Sequence, residues 1–460
     1  MAYSKSLCSP GYRQFSIVAF AALAPATFGY YLDIFVRDRT TGITEQASVN
    51  SQGQPGNDGC EFPDISSDGT IVAFASFASN LVANDTNDMN DIFVRDRTKG
   101  VTAIVSISSS GVSSNAGSSE SAISADGNLV VFQSYASNLI ASDTNQRADI
   151  FIRDRSKKTT HRLSTSTSGA QADADCYSPA ISADGTIVAF ASAATTLVSG
   201  DTNSVSDIFI RDRNAATTER VSIDSSGAEG NGDSYEPALS SDGRFVVFRS
   251  NSSNLDPRDT DSKSNVFLHD QVTKTTTLLT INEALAPTDG DSYSSAISDD
   301  GGVIAFESKA TNLILGDTNF VADVFADDLT VPPLLASWSN YGSGYPGTLG
   351  VPTLTASVDP VFGTTISIDA SNSSGNWSEG FVPVGVSPAD VPTSAGGELL
   401  VTPLSLLLLP LLPSGGSIVT AIPRDLNFHG LTLYLQVIEI DPGAQHGLSF
   451  TPGLQLTLGQ

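Results

Sequence analysis

The chain has 460 residues, 40% of them hydrophobic and 16% charged, and a formal net charge of −27 at pH 7. That length exceeds one ordinary hydrophobic core, so several domains or a repeat array are expected, and the apolar content excludes a disordered chain. The negative field argues against nucleic-acid phosphate and anionic membrane surfaces as partners, because like charges repel.

The first apolar run, Phe15 to Ala24, follows Lys5 and Arg13 and leads into Ala24-Pro25-Ala26. It fits either a secretory signal with an A-x-A cleavage site or the start of a repeat, and both readings stand. Beyond it, Asp-Gly pairs recur at Asp68, Asp126, Asp184, Asp242 and Asp300, every step 58 residues. Each pair opens a run of branched and aromatic residues, TIVAFAS from Thr70 being the pattern, which reads as a buried strand after a turn. A D-T-N or D-T-D loop follows at Asp85, Asp143, Asp201, Asp259 and Asp317, and then a second strand, DIFVRDR from Asp91 or its counterparts. A third strand such as VTAIVSI from Val101 and a short fourth such as SPAIS from Ser178 complete the unit. Four short antiparallel strands without a helical stretch are the content of a propeller blade.

Counting back by 58 places a first unit at residues 10 to 39, where Arg37-Asp38-Arg39 falls on schedule. Its IVAF run is displaced by four residues and its D-T-N element is missing, so this blade is read as degenerate. The expected fold is all-β: a six-bladed β-propeller over residues 1–335, then a β-sandwich-like domain over 336–460. From residue 331 onward the composition changes to 8 acidic residues, one arginine and no lysine. Alternation in GLTLYLQVIEI from Gly430 and GLQLTLG from Gly453 indicates strands there. Leu399 to Leu412 is apolar but interrupted by Pro403, Ser405 and Pro410, and too short for a membrane span.

The pattern S-x-DG-x-x-VAF-x-S, followed by D-I-F-V-R-D and a TG turn, resembles the TolB-type, WD40-like (PD40) propeller repeat of bacterial secreted and periplasmic proteins. The resemblance covers roughly residues 4 to 335, and it implies an extracytoplasmic protein: periplasmic, secreted or at the cell surface. YGSGYPGTLGVPTL from Tyr341, with IPRDLNFHGLTLYLQ from Ile422, resembles a C-terminal module of secreted environmental bacterial proteins, with no activity to carry over.

Three cysteines, Cys8, Cys60 and Cys176, make no disulfide framework; Cys60 and Cys176 hold the same place in alternate units and are expected to be buried thiols. Four scattered histidines do not form the His-rich metal cluster of propeller lyases that resemble this repeat, and no G-x-S-x-G elbow is present. The D-T-N-x-x-x-D element offers oxygen ligands in four units: Asp85, Asn87 and Asp91; Asp143, Asn145 and Asp149; Asp201, Asn203 and Asp207; Asp317, Asn319 and Asp323. The loop lacks an EF-hand glycine and its twelfth-position acid lies too far along a strand, so it is not an EF-hand; calcium at the short loop and plain Asx-turn capping remain, and turn capping is preferred. No cofactor is therefore expected. The Arg-Asp-Arg triplets are expected to form ion pairs between blades or with neighbouring acidic loops.

The loops entering each blade's first strand carry Asp58, Glu61, Glu120, Asp173, Asp175, Tyr177, Asp233, Tyr235, Glu236, Asp289, Asp291 and Tyr293. In a propeller these cluster around one mouth of the channel, where aromatic rings and acceptors suit a cationic peptide segment, a sugar or a metal ion. The expected function is a non-catalytic, monomeric binding or scaffold protein that meets a protein or glycan ligand, without nucleic acid or membrane insertion. The alternative is a hydrolase or lyase on peptide or polysaccharide, using channel-mouth carboxylates.

Overall fold

The computed structural model describes residues 17–26, 29–83, 85–261, 263–282, 286–314, 317–319, 321–329, 337–361, 364–422 and 431–458. Cys8, His429 and the start of the N-terminal apolar run lie outside them. Among the described residues there is no helix, and the chain divides into two compact units, residues 1–330 and 331–460.

In the first unit six antiparallel sheets follow one another along the chain. The first contains β1 (Ile17–Ala26), β2 (Gly29–Asp38) and β3 (Thr44–Gln46). The second contains β4 (Cys60–Ile65), β5 (Ile71–Ser76), β6 (Asp91–Asp96) and β7 (Val101–Ile104); the third β8 (Ser118–Ile123), β9 (Leu129–Ser134), β10 (Asp149–Asp154) and β11 (Thr159–Arg162). The fourth contains β12 (Cys176–Ile181), β13 (Ile187–Ser192), β14 (Asp207–Asp212) and β15 (Thr217–Arg220); the fifth β16 (Ser234–Leu239), β17 (Phe245–Ser250), β18 (Asn265–Asp270) and β19 (Thr275–Leu278). The sixth contains β20 (Ser292–Ile297), β21 (Val303–Ser308) and β22 (Asp323–Asp328). The inner strands β4, β8, β12, β16 and β20 pack one on the next and line a single cavity, the arrangement of propeller blades about a channel.

Every residue of β5 is buried, as expected of a strand covered on both faces by neighbouring blades. Inside each blade a phenylalanine pair fills the core; Phe74–Phe93, Phe132–Phe151, Phe190–Phe209 and Phe248–Phe267 stack at 5.9–6.0 Å. The Asp-Gly turn sets the spacing between blades. Gly127 has φ +69°, and a Cβ there would lie 2.7 Å from Cγ1 of Ile71 in the preceding blade, so glycine serves both the turn and the close approach. Beside it the main chain links equivalent residues blade to blade: the N–H groups of Ser67, Ala125, Ala183 and Ser241 donate to the carbonyls of Ala125, Ala183, Ser241 and Asp299 at 2.9–3.0 Å.

The first blade keeps this register despite its altered text. Ile17 pairs with Asp38 as Ile71 pairs with Asp96, and Phe20 with Phe35 as Phe74 with Phe93. The four-residue displacement of the IVAF run is absorbed by shortening the connection between its strands, and the phenylalanine stack survives at 5.9 Å.

The second unit contains β23 (Ser337–Tyr341), β24 (Leu354–Ala356), β25 (Thr365–Ala370), β26 (Ser378–Gly385), β27 (Pro388–Pro392), β28 (Glu398–Val401), β29 (Ser405–Leu411), β30 (Gly416–Ala421), β31 (Thr432–Leu435), β32 (Ile438–Ile440), β33 (Leu448–Phe450) and β34 (Gly453–Thr457). One sheet runs β23-β34-β31-β26-β32-β33 with β29 also on β26; a second runs β24-β25-β30, and β27 pairs β28. The two larger sheets share one core, Leu354, Ile366 and Ile368 from the smaller facing Val382, Leu435, Leu454 and Leu456 from the larger.

Candidate functional site

Each inner strand is broken by a β-bulge at the same place, between Glu61 and Asp64 in β4 and between Tyr235 and Ala238 in β16, for example. The residue inside the bulge is left-handed although it is never glycine: Phe62, Glu120, Ser178, Glu236 and Ser294 have φ of 45–53°. Non-glycine residues held there are uncommon, and a bulge re-aims side chains that a regular strand would send elsewhere. Here the bulge turns Glu120 and Glu236 to the wall of the central cavity, about 210 Å³ in volume, which also takes in Asp64. The wall is otherwise apolar or small, and no basic side chain lines it among the described residues.

The three carboxylates differ in what holds them. Asp64 accepts the N–H of Ile65 at 2.9 Å on one oxygen and that of Ile123, in the next blade, at 2.8 Å on the other. Burial outweighs these bonds and pushes its carboxyl up to about 6. Glu120 accepts the N–H of Ser178, again one blade on, at 2.5 Å. Glu236 has a buried Oε2 without a hydrogen bond among the described residues, and the guanidinium of Arg249 stands 3.7 Å from it.

Above the cavity a ladder of rings and cations crosses three blades. Tyr177 and Tyr235 lie 6.4 Å apart between centroids, Arg249 stands 4.6 Å from the Tyr235 ring and 5.7 Å from Tyr293, and the Lys309 ammonium 5.2 Å from Tyr293. Cations at these distances are attracted to the ring faces. Phe77 and Tyr135, 54% and 55% exposed, hold corresponding positions in the second and third blades and leave their faces open.

The expected mouth residues divide by what they bind. Asp175, Asp233 and Asp291 accept the N–H groups of Ala148, Ser206 and Ser264 at 2.8–3.0 Å, tying each blade to the one before. The Tyr293 hydroxyl donates to Asp291 at 3.0 Å, and burial together with Asp233 pushes the Tyr235 hydroxyl up to about 12. Asp173 and Asp289 cap the loops of Thr195 and Thr311 and lie away from the cavity wall. Asp58 accepts the N–H of Gly59, and Glu61 is exposed. Sequence reasoning passed over Asp64, Arg249, Lys309, Phe77 and Tyr135. Their signal was departure from the repeat: Asp64 stands where the other blades have Ala122, Ala180, Ala238 and Ala296, and Arg249 where they have Ala75, Gln133, Ala191 and Glu307.

The D-T-N loops form Asx turns, with the Asn87, Asn145, Asn203 and Asn319 carbonyls accepting the N–H two residues on. Their carboxylates are met by protein groups. Arg162 reaches Asp143 at 3.3 Å and Asp149 at 3.2 Å; Arg220 reaches Asp201 at 3.4 Å, Asp207 at 3.1 Å and Glu229 at 2.9 Å. In the second blade that register holds Ile104, Asp85 has a buried oxygen without a hydrogen bond, and burial beside Asp91 raises its carboxyl. Asp91 itself accepts the hydroxyls of Ser106 and Ser114, and Asn319 donates to Asp323 at 2.9 Å beside Asp317. No group of three or more His, Cys, Asp or Glu side chains of metal-site geometry occurs among the described residues.

The Arg-Asp-Arg triplets correct one expectation. Arg95 and Arg153 donate to the carbonyls of Asn50 and Ser108 in the preceding blade at 3.1 Å, and among the described residues Arg97 alone of the triplet arginines forms an ion pair across blades, with Glu45. Main-chain carbonyls recur in every unit whatever its side chains, so the arginines bind those rather than carboxylates. Cys60 and Cys176 are buried free thiols, pushed up to about 12 by burial.

No protein-family profile and no curated protein matches the chain. Among solved structures it is similar to TolB from Acinetobacter baumannii, at 16% identity over 65% of this chain and 62% of that one, with a TM-score of 0.40. It is also similar to the β-propeller domain of the Trilobed protease from Pyrococcus furiosus, at 11% identity over 78% and 87%, TM-score 0.44. A third is the GH74 xyloglucanase from Xanthomonas campestris, at 10% identity over 95% and 71%, TM-score 0.38. The chain spans less than two thirds of the length of that TolB. Likenesses of this size transfer no activity.

Proposed function

We propose that the protein is a non-catalytic binding protein acting outside the cytoplasm, whose propeller recognises a protein or glycan at the channel mouth. One observation carries this reading. The inner strands bring side chains that differ from blade to blade, Asp64, Glu120 and Glu236 among them, to the wall of one cavity, while the buried phenylalanines and turn glycines stay constant. Varied polar side chains on one concave surface beside aromatic rings are suited to recognition by an otherwise uniform scaffold. The open rings of Phe77 and Tyr135 supply stacking area, and Glu236 supplies an acceptor that the fold leaves without a hydrogen bond.

Full-length protein on glycan and peptide arrays tests the proposal. A ligand should be captured, and Tyr135→Ala or Glu236→Gln should weaken it about tenfold or more. Failure to capture anything, or capture that neither variant changes, overturns it.

The raised carboxyl of Asp64 favours a second reading, a hydrolase or lyase with Asp64 as acid and Glu120 or Glu236 as its ionised partner. Against it, both Asp64 oxygens already accept main-chain N–H groups, an arrangement that serves a carboxylate rather than a proton donor. Glycan or peptide turnover that Asp64→Asn abolishes would reverse the order of the two.

A further inference from the structure

The channel mouth is electrically lopsided. In the fifth and sixth blades the chain supplies its own cations, Arg249 over the Tyr235 ring and Lys309 over the Tyr293 ring. In the second and third blades the place of Arg249 is held by Ala75 and Gln133, and that of Lys309 by Phe77 and Tyr135, so these positions carry open rings and no positive charge. The same two blades send Asp64 and Glu120 to the cavity wall, where Glu236 joins them and no basic side chain occurs among the described residues. The Tyr135 hydroxyl, raised by burial and then by Asp175 and Glu120, ties the open rings to these acids. Two buried oxygens of the wall, Oε2 of Glu236 and the hydroxyl of Ser295, have no hydrogen-bond partner among the described residues.

We infer that the ligand at the channel mouth, whose existence rests on the function proposed above, is a peptide that seats one lysine or arginine side chain in the cavity, its positive group among Asp64, Glu120 and Glu236. Carboxylates out of water need a counter-charge. Here only Arg249 approaches one of them, at 3.7 Å, while it also lies over two rings. A cation brought by the ligand supplies the rest, whereas a neutral glycan brings hydroxyl groups and leaves the charge as it was. The size of the cavity agrees: about 210 Å³ falls below the roughly 300–1,000 Å³ of pockets that enclose a drug-sized ligand, and it suits one inserted side chain rather than an oligosaccharide. Open ring faces beside carboxylates select an ammonium or guanidinium on an organic stem over a bare metal ion, and no metal-site grouping of acids occurs among the described residues. The net charge of −27 draws such a ligand in from a distance.

Calorimetric titration of the full chain with end-blocked pentapeptides Gly-Gly-Xaa-Gly-Gly tests it, Xaa being lysine, arginine, or their neutral counterparts norleucine and citrulline. At least one charged peptide should bind about tenfold or more tightly than its counterpart. Glu236→Gln should remove most of that preference, with Glu120→Gln in its place should the first variant lose its fold. Asp390→Asn, the same loss of charge at an exposed position of the second unit, should leave the preference intact. No binding of either charged peptide at about 5 mM, equal binding of charged and neutral peptides, or a preference that Asp390→Asn lowers as much as Glu236→Gln would each overturn the inference. Butylamine binding as tightly as the lysine peptide would overturn it as well, by showing that the peptide contributes nothing. A neutral glycan captured on the arrays and lost with Glu236→Gln would overturn it while leaving the channel-mouth reading in place, whereas capture of no ligand at all ends both.

Discussion

Arg220 is the most informative single position for stability. Its guanidinium, 10% exposed, lies within 3.4 Å of Asp201 and Asp207, whose side chains are 1% and 0% exposed, and it also reaches Glu229. Replacing it by isoleucine, the residue at the same register in the second blade, leaves two buried carboxylates without a cation. Removing one partner from a buried ion pair costs about 3–5 kcal/mol, roughly 2 °C of melting temperature per kcal/mol for a chain of this size. The cost must depend on pH. Asp201 already sits at about 6, raised by burial and by Asp207 and lowered by Arg220. With the arginine gone it rises further, so near pH 5 the variant takes up a proton and sheds most of the penalty, whereas at pH 8 it cannot. Thermal melts of wild type and Arg220→Ile, followed by circular dichroism at pH 5 and pH 8, should therefore differ by about 6–10 °C at pH 8 and by much less at pH 5. A deficit that is the same at both pH values, or below about 1 kcal/mol at pH 8, would refute the reasoning. The reciprocal change, Ile104→Arg, should raise stability at pH 8 by giving Asp85 and Asp91 the cation that the third and fourth blades have.

Cys60→Ser and Cys176→Ser should each cost less than about 1 kcal/mol in denaturant unfolding, because Ser118, Ser234 and Ser292 hold the same place and bond the same partner serine. Both thiols should resist alkylation until the chain unfolds, and prompt labelling of the native protein would contradict their burial. Burial holds the His269 imidazole down to about 4, so the folded chain declines a proton that the unfolded chain binds near 6.5. That contribution is complete above pH 6.5 and is lost as pH falls toward 4. His269→Arg, matching Arg95, Arg153 and Arg211, should flatten this part of the profile, and an unchanged slope would count against it. If the D-T-N loops are Asx turns, melting temperatures with calcium and with excess chelator should coincide; a rise with calcium would point to the second or sixth blade, where no arginine serves the pair among the described residues.

Much of the fold was legible because propeller blades repeat their local chemistry. Asp68-Gly69 marks a turn whose physics is entirely local, and IVAFAS reads as buried because neither face of β5 meets water. The displaced run of the first blade was visible as text, though not its consequence, since restoring the Ile17–Asp38 register depends on a shortened connection. The site was less legible. Nothing in Phe62 or Glu120 announces a left-handed residue, because glycine is the usual sign and the bulge is imposed by the partner strand. Arg162 and Arg220 lie 13 residues beyond the aspartates they neutralise, a distance that only strand pairing closes. Asp175, Asp233 and Asp291 looked like a ligand rim because their donors, the main-chain N–H groups of the preceding blade, have no signature in side-chain identity.

The main-chain bonds from Ser67 to Asp299 run between residues that share one position in the unit, each blade donating to its successor. A single 58-residue module therefore carries both halves of its own junction, plug and socket. Duplicating or excising one whole module would present every remaining blade with the junction it already had, whereas a cut at any other length would set Gly127 and its equivalents against the wrong neighbour. Blade number is thus free to change by integers while the junction stays fixed, and the drift-free period follows from that geometric lock.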